Sequence, residues 1–261
     1  MLLMGIQNMN NILIVKNKIN NYIDEYIDIC DNTITFKKSG NYDIYYEDCN
    51  NIDIVFNLCD NVYIKLFEYM NQGNIDSNIV YNLNDNAALI IYKFYSNKKT
   101  NENITVNLDG YLSRLDYNFS NICLGEEYYQ IDINHKDRKT FSNISNKSIA
   151  LKNSKLDFII NSNVGKNCNG SILDQNTRIV TMGECDARIS PNMFIDLDDV
   201  VAKHGSVIGT FKDDQLFYLM SKGITYQDSL KLLIKGYLLS NIDVNLELRQ
   251  KILEIIEMYW R

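Results

Sequence analysis

The chain has 261 residues, 46% of them hydrophobic and 23% charged, with a formal net charge of −7 and a pI near 4.9. That length makes one large domain or two small ones, and the composition is that of a folded protein rather than a disordered one. The acidic balance argues against a protein that coats nucleic-acid phosphates, and no run of Lys and Arg offsets it locally.

In chain order, Met1 to Ile6 is apolar but too short for the core of a secretory signal, and polar Gln7, Asn8, Asn10 and Asn11 follow at once. No apolar stretch approaches the roughly 20 residues of a membrane helix, so a cytoplasmic location is the expectation. Residues 1–40 carry no clear pattern.

From 42 to 208 one rhythm repeats, with short alternating runs separated by Asn, Asp, Gly or Ser. Ile52, Ile54, Phe56 and Leu58 alternate with Asp53, Val55 and Asn57. The same alternation returns at Ile104/Val106/Leu108, Leu115/Tyr117/Phe119, Tyr129/Ile131/Ile133, Leu156/Phe158/Ile160, Cys185/Ala187/Ile189 and Met193/Ile195/Leu197. Alternation of this kind places one side of each strand on a core and the other toward water. Many short strands suit a sandwich or barrel, and equally a solenoid whose corners use Asn and Asp in left-handed backbone. Periodicity alone leaves both open.

The pattern changes after Thr210. Leu230, Leu233, Ile234, Tyr237 and Leu238 mark one helix face, and Leu248, Ile252, Ile255, Ile256 and Tyr259 mark another. Asp213 or Asp214 opens an earlier helix that Gly223 ends, Thr225 with Asp228 forms a capping box, and Asp243 caps the last helix. Strands first and helices after predict segregated α and β parts.

The six cysteines are Cys30, Cys49, Cys59, Cys123, Cys168 and Cys185, and no two form a C-x-x-C pair. The usual spacing for zinc or a four-cysteine cluster is therefore missing, and most are expected as small buried hydrophobes. Cys168, in the polar run Gly165 to Gly170, reads as an exposed turn thiol, and His135 as a solvated strand tip. No permanently ligated metal is expected.

A specific resemblance lies between Ser190 and Ile224. The run Pro191-Asn192-Met193-Phe194-Ile195 leads into Asp198-Asp199-Val200-Val201-Ala202-Lys203-His204-Gly205, with Gly209 beyond. Asp213-Asp214-Gln215-Leu216-Phe217-Tyr218-Leu219-Met220-Ser221-Lys222-Gly223-Ile224 follows. These resemble two adjacent motifs of the SufB/SufD family of iron–sulfur cluster assembly subunits. The first is D-D-V-x-x-x-H-G and the second D-x-x-Q-L-F-Y-L-x-S-R-G-I, both in the SufD form. His135, Thr140, Ser142, Leu156-Asp157-Phe158 and Asp174-Gln175-Asn176-Thr177-Arg178 extend the resemblance to about residues 129–240.

The resemblance implies a right-handed parallel β-helix core over residues 1–211 and a small α-helical domain over 212–261. It further implies a non-enzymatic scaffold or adaptor that docks the SufC-type ABC ATPase through Gln215, Leu216, Phe217, Tyr218 and Leu219. The dimer mate would be a second copy or a SufB-like chain, and neither nucleic acid nor membrane would be a partner. The chain carries no G-x-x-x-x-G-K-[ST] loop of its own, which suits a partner of the ATPase. A transient iron–sulfur cluster is the implied cargo, with His204 and Cys185 as its implied ligands. Cys185 lies in Glu184-Cys185-Asp186-Ala187, whose Cys-Asp pair is similar to the SufB motif, although a buried strand cysteine is the plainer reading. Two other functions stay open: an adaptor without cluster chemistry, and a β-helical carbohydrate-active enzyme using Asp196, Asp198 and Asp199 as paired acids.

Overall fold

The structure is a computed structural model that describes residues 10–15, 18–19, 25–47, 49–71, 73–244 and 246–260. The apolar run at Met1 to Ile6 lies outside the described residues. Strands pass back and forth between two sheets. Sheet A holds β1 (Asn10–Val15), β2 (Lys18–Ile19), β5 (Gly40–Glu47), β7 (Tyr63–Met70), β9 (Ala88–Tyr95), β11 (Arg114–Cys123), β13 (Phe141–Leu151), β15 (Ser171–Met182) and β17 (Val200–Gly209). Sheet B holds β3 (Ile27–Cys30), β4 (Thr33–Phe36), β6 (Asn51–Leu58), β8 (Asn74–Leu83), β10 (Lys99–Leu108), β12 (Glu126–His135), β14 (Lys155–Val164) and β16 (Asp186–Ile195).

Among the described residues, antiparallel pairing is confined to the β1–β2 and β3–β4 hairpins. The remaining neighbours are parallel, such as Ile104 of β10 on Ile79 of β8 and Ile131 of β12. One strand in each sheet makes one turn of a parallel β-solenoid, which settles the choice that periodicity left open. On sheet B stacked residues lie 22 and then 25 positions apart in the early turns, then 27, 29 and 31. Extra residues are absorbed at the corners, so the chain carries no fixed sequence repeat.

Within the strands of the inner turns the alternation holds, while β16 and β17 bury none of their residues. Ile52, Ile54, Phe56 and Leu58 are buried, as are Leu115, Tyr117 and Phe119 and their counterparts on β10, β12 and β14. Burying an Ile or Phe of this kind contributes roughly 1.5–3 kcal/mol each. Outward on sheet B, Asn57, Asn82, Asn107, Asn134 and Asn163 form a ladder in which each Nδ2 from Asn82 onward donates to the Oδ1 of the turn before, at 2.8–3.0 Å. Asparagine therefore serves on strands, where identical amides one turn apart satisfy each other.

Corners use left-handed backbone, at Asn61 and Asn86 as expected but also at Leu112 and Lys139. Corners also stack closely: a Cβ at Gly110 would run into the backbone of Asn84 and Asp85.

After β17 come α1 (Asp213–Ser221), α2 (Tyr226–Leu239) and α3 (Leu246–Tyr259). Thr225 Oγ1 accepts from the Asp228 N–H at 3.1 Å, as the capping box predicts, and Gly223 ends α1 with φ +85°. The Asp243 carboxylate accepts from Lys65 Nζ at 2.8 Å, three residues before α3 begins. α2 and α3 lie on the outer face of sheet A. There Ile234, Leu238, Leu248, Ile252 and Ile256 share one apolar cluster with Phe67, Phe94, Ile122, Ile149 and Val180. Asn241 fixes this contact, its Nδ2 donating to the carbonyls of Phe119 and Ser145 at 2.9 and 2.8 Å.

Candidate functional site: the open edge, the first helix and the polar interior

β16 and β17 are the last strands of their sheets, and neither is covered by a further strand among the described residues. Apolar side chains stand in solvent there, with Phe194 57%, Val201 54% and Val207 55% exposed. Ten residues of edge with unpaired N–H and C=O groups form a template for another strand. α1 is equally bare. It buries none of its residues, and while Leu216 and Leu219 are half-buried, Phe217 and Tyr218 are 65% and 63% exposed.

His204 sits mid-way along β17, exposed, in register with Gln175 of β15. Cys185 lies at the corner just before β16, half-buried against the core. The two therefore lie in one terminal turn, His204 on its sheet A strand and Cys185 at the corner that leads into its sheet B strand. Burial, and then the neighbouring Asp186 carboxylate, push the Cys185 thiol above its ordinary range. It stays a thiol until a cation draws off the proton, and only the thiolate binds iron well. One imidazole and one thiol have the right donor chemistry for iron but make a partial set. Among the described residues no group of three or more His, Cys, Asp or Glu is arranged to hold a metal ion.

Two sequence readings are corrected here. His135 is no solvated tip but 3% exposed, its Nδ1 2.6 Å from Thr140 Oγ1 and its Nε2 2.9 Å from Ser142 Oγ. Its strand end is roofed by the next turn, and burial pushes its pKa down to about 4, so it is a neutral structural group. Cys168 is no exposed thiol either: it is 1% exposed and donates to the His135 carbonyl at 3.1 Å, because its corner folds inward. Asp196, Asp198 and Asp199 occupy the exposed corner between β16 and β17.

The interior holds a set of charges that alternation did not reveal. Glu68, Lys93 and Glu102 are fully buried on β7, β9 and β10. Lys93 Nζ donates to both oxygens of Glu102 at 3.0 Å and lies 3.2 Å from Glu68 Oε2. Tyr81, Tyr95 and Ser77 hydroxyls complete the carboxylate shells at 2.6–3.2 Å. Nearby, Glu127 is 2% exposed and accepts from Asn121 and Tyr129. The only available signal was a charged residue standing in phase with apolar ones, as Glu102 stands with Ile104.

A family model described as "SUF system FeS cluster assembly, SufBD core domain" matches residues 71–237. The chain belongs to this family. The match runs from the start of β8 into α2, and so takes in the terminal turn, His204, Cys185 and α1. It begins well upstream of the motifs legible by eye.

Among curated SufBD relatives, the iron–sulfur cluster assembly protein SufD of Escherichia coli (strain K12) is 27% identical over 123 residues, 47% of this chain and 25% of that protein. An iron–sulfur cluster assembly SufBD family protein of Mycobacterium leprae is 39% identical over 71 residues, 26% of this chain and 18% of its own. SufD of Bacillus subtilis (strain 168) is 36% identical over 66 residues, 25% of this chain and 15% of its own. The chain thus spans a quarter or less of the length of these relatives. Among the described residues no helix is long and apolar enough to cross a membrane.

Proposed function

We propose that this SufBD-family chain is a non-enzymatic subunit of an iron–sulfur cluster assembly complex, closer to SufD than to SufB, with the cluster as transient cargo. The observation that carries the reading is that the SufBD core match includes a terminal turn left open, with His204 on its edge strand. A second copy, or a SufB-like chain, adds its own edge to β17 and supplies the ligands that Cys185 and His204 lack. The test is anaerobic reconstitution of wild type, Cys185→Ser and His204→Ala with iron and sulfide, with sedimentation of the same samples. Cluster absorption is expected in dimeric wild type and reduced in both variants. Equal cluster content in all three would remove these ligands and leave an adaptor without cluster chemistry.

The SufC-type ATPase docks on the exposed face of α1. Because Phe217 and Tyr218 contribute nothing to the core, changing both to alanine is expected to leave thermal stability unchanged. The same change lowers ATPase affinity by about 30-fold or more, the usual effect of losing aromatic anchors. Isothermal titration with the ATPase measures this, and unchanged affinity would move the docking site elsewhere. Deleting residues 212–261 is a poorer test, since it would uncover Phe94, Ile122 and Ile149 on sheet A.

A further inference from the structure

Gln175 is an inward-facing residue of β15, 2% exposed, one turn beneath the open edge. Its Nε2 donates to Ser162 Oγ at 2.7 Å and to the Asn192 carbonyl at 3.3 Å. A carbonyl can only accept, so this contact fixes the amide with nitrogen toward sheet B and leaves no freedom to flip. Gln175 Oε1 is then buried without a hydrogen-bond partner among the described residues, which a native core rarely tolerates without a reason.

The parallel register supplies the reason. Leu173, Gln175, Thr177 and Ile179 form the inner series of β15, and their partners on β17 are Ala202, His204, Ser206 and Ile208. In-register parallel neighbours point to the same side, about 4.8 Å apart, so the imidazole of His204 belongs directly over Gln175. Among the described residues the ring makes no hydrogen bond, so its N–H is not committed elsewhere and Gln175 Oε1 is an unused acceptor on its stacked neighbour.

We infer that Gln175 is the positioning residue of His204: its Oε1 accepts one ring N–H, which fixes the tautomer and turns the other nitrogen's lone pair outward at the edge. Ligating histidines are commonly held in this way through the nitrogen that does not bind the metal. The inference rests on the reading of His204 as a ligand, but the hydrogen bond can be tested without any cluster.

The chain has two histidines, so ring-nitrogen NMR of the full chain gives two sets of signals, with buried His135 as an internal control. In neutral wild type, His204 is expected to favour one tautomer. Gln175→Met, which removes the acceptor, lowers the tautomer ratio by about fivefold, the effect of one ordinary hydrogen bond. Gln175→Glu, which keeps an acceptor, preserves the preference. Identical His204 signals in all three proteins would overturn the inference. So would a change in Gln175→Met that also moves the His135 signals, since that reports general loosening. Reconstitution judges the ligand reading separately: tautomer control lost with full cluster content keeps the hydrogen bond and removes His204 as a ligand.

Discussion

Replacing Lys93 by methionine is expected to destabilise the protein by about 3–5 kcal/mol, the usual consequence of leaving buried charge uncompensated. Lys93 is fully buried between the carboxylates of Glu102 and Glu68, and the ring of Tyr95 lies 4.8 Å from its ammonium. Removing the one cation leaves two acids facing each other across the core. Glu102, whose carboxyl burial already pushes upward, can relieve the repulsion by taking up a proton, so the loss measured by urea unfolding should be larger at pH 8 than at pH 5. The triple variant Lys93→Met/Glu68→Gln/Glu102→Gln removes the charges together and keeps acceptors for Tyr81, Tyr95 and Ser77. It should recover more than half of the lost stability. A cost under about 1 kcal/mol for the single change would show that the trio is not a compensated charge cluster.

Glu127→Gln is expected to stabilise the protein above about pH 4.5, increasingly so up to about pH 8. Burial is the main reason that the Glu127 carboxyl is pushed up to about 8, with the Glu102 carboxylate adding to it and hydrogen bonds from Tyr129, Asn121 and the Leu124 N–H opposing it. Its ordinary value is 4.5. Between those two values the native state keeps a proton that the unfolded chain has released, so stability falls as pH rises through the window. At 1.36 kcal/mol per unit the full loss is on the order of 4–5 kcal/mol by pH 8. Glutamine has no proton to lose. The variant should therefore match wild type near pH 4.5 and exceed it by several kcal/mol near pH 8.5, by denaturant unfolding at both. A stability difference independent of pH would mean that Glu127 is ionised in the native state throughout.

Much of the candidate site was legible because its residues are ordered by local rules. The Asp198–Gly205 and Asp213–Ile224 motifs pointed to the terminal turn and α1 before any coordinates, and the 71–237 match agrees. What remained hidden depends on residues from other turns. Gln175 stood in phase with Leu173, but nothing local marks its Oε1 as lacking a partner, since the acceptors that orient its amide come from β14 and β16. Cys168 and His135 were misplaced for the same reason: the turn that covers them is about 30 residues away, with a separation of 33 for their own contact.

The sequence by itself determined the phase of the strands at 52–58, 104–108, 115–119, 129–133 and 156–160, both ends of α1, the start of α2, and the family, because alternation, caps and motifs act within a few neighbouring residues. Tertiary structure alone decided three things. It set the spacing of the turns in the solenoid that the resemblance implied, because variable corners let residues 22 to 32 positions apart stack in register. It admitted Glu68, Lys93, Glu102 and Glu127 to the core, because partners on adjacent turns meet there to satisfy them. And it left β17 and the face of α1 bare, because the last turn has no successor to cover it while α2 and α3 spend their apolar sides on sheet A.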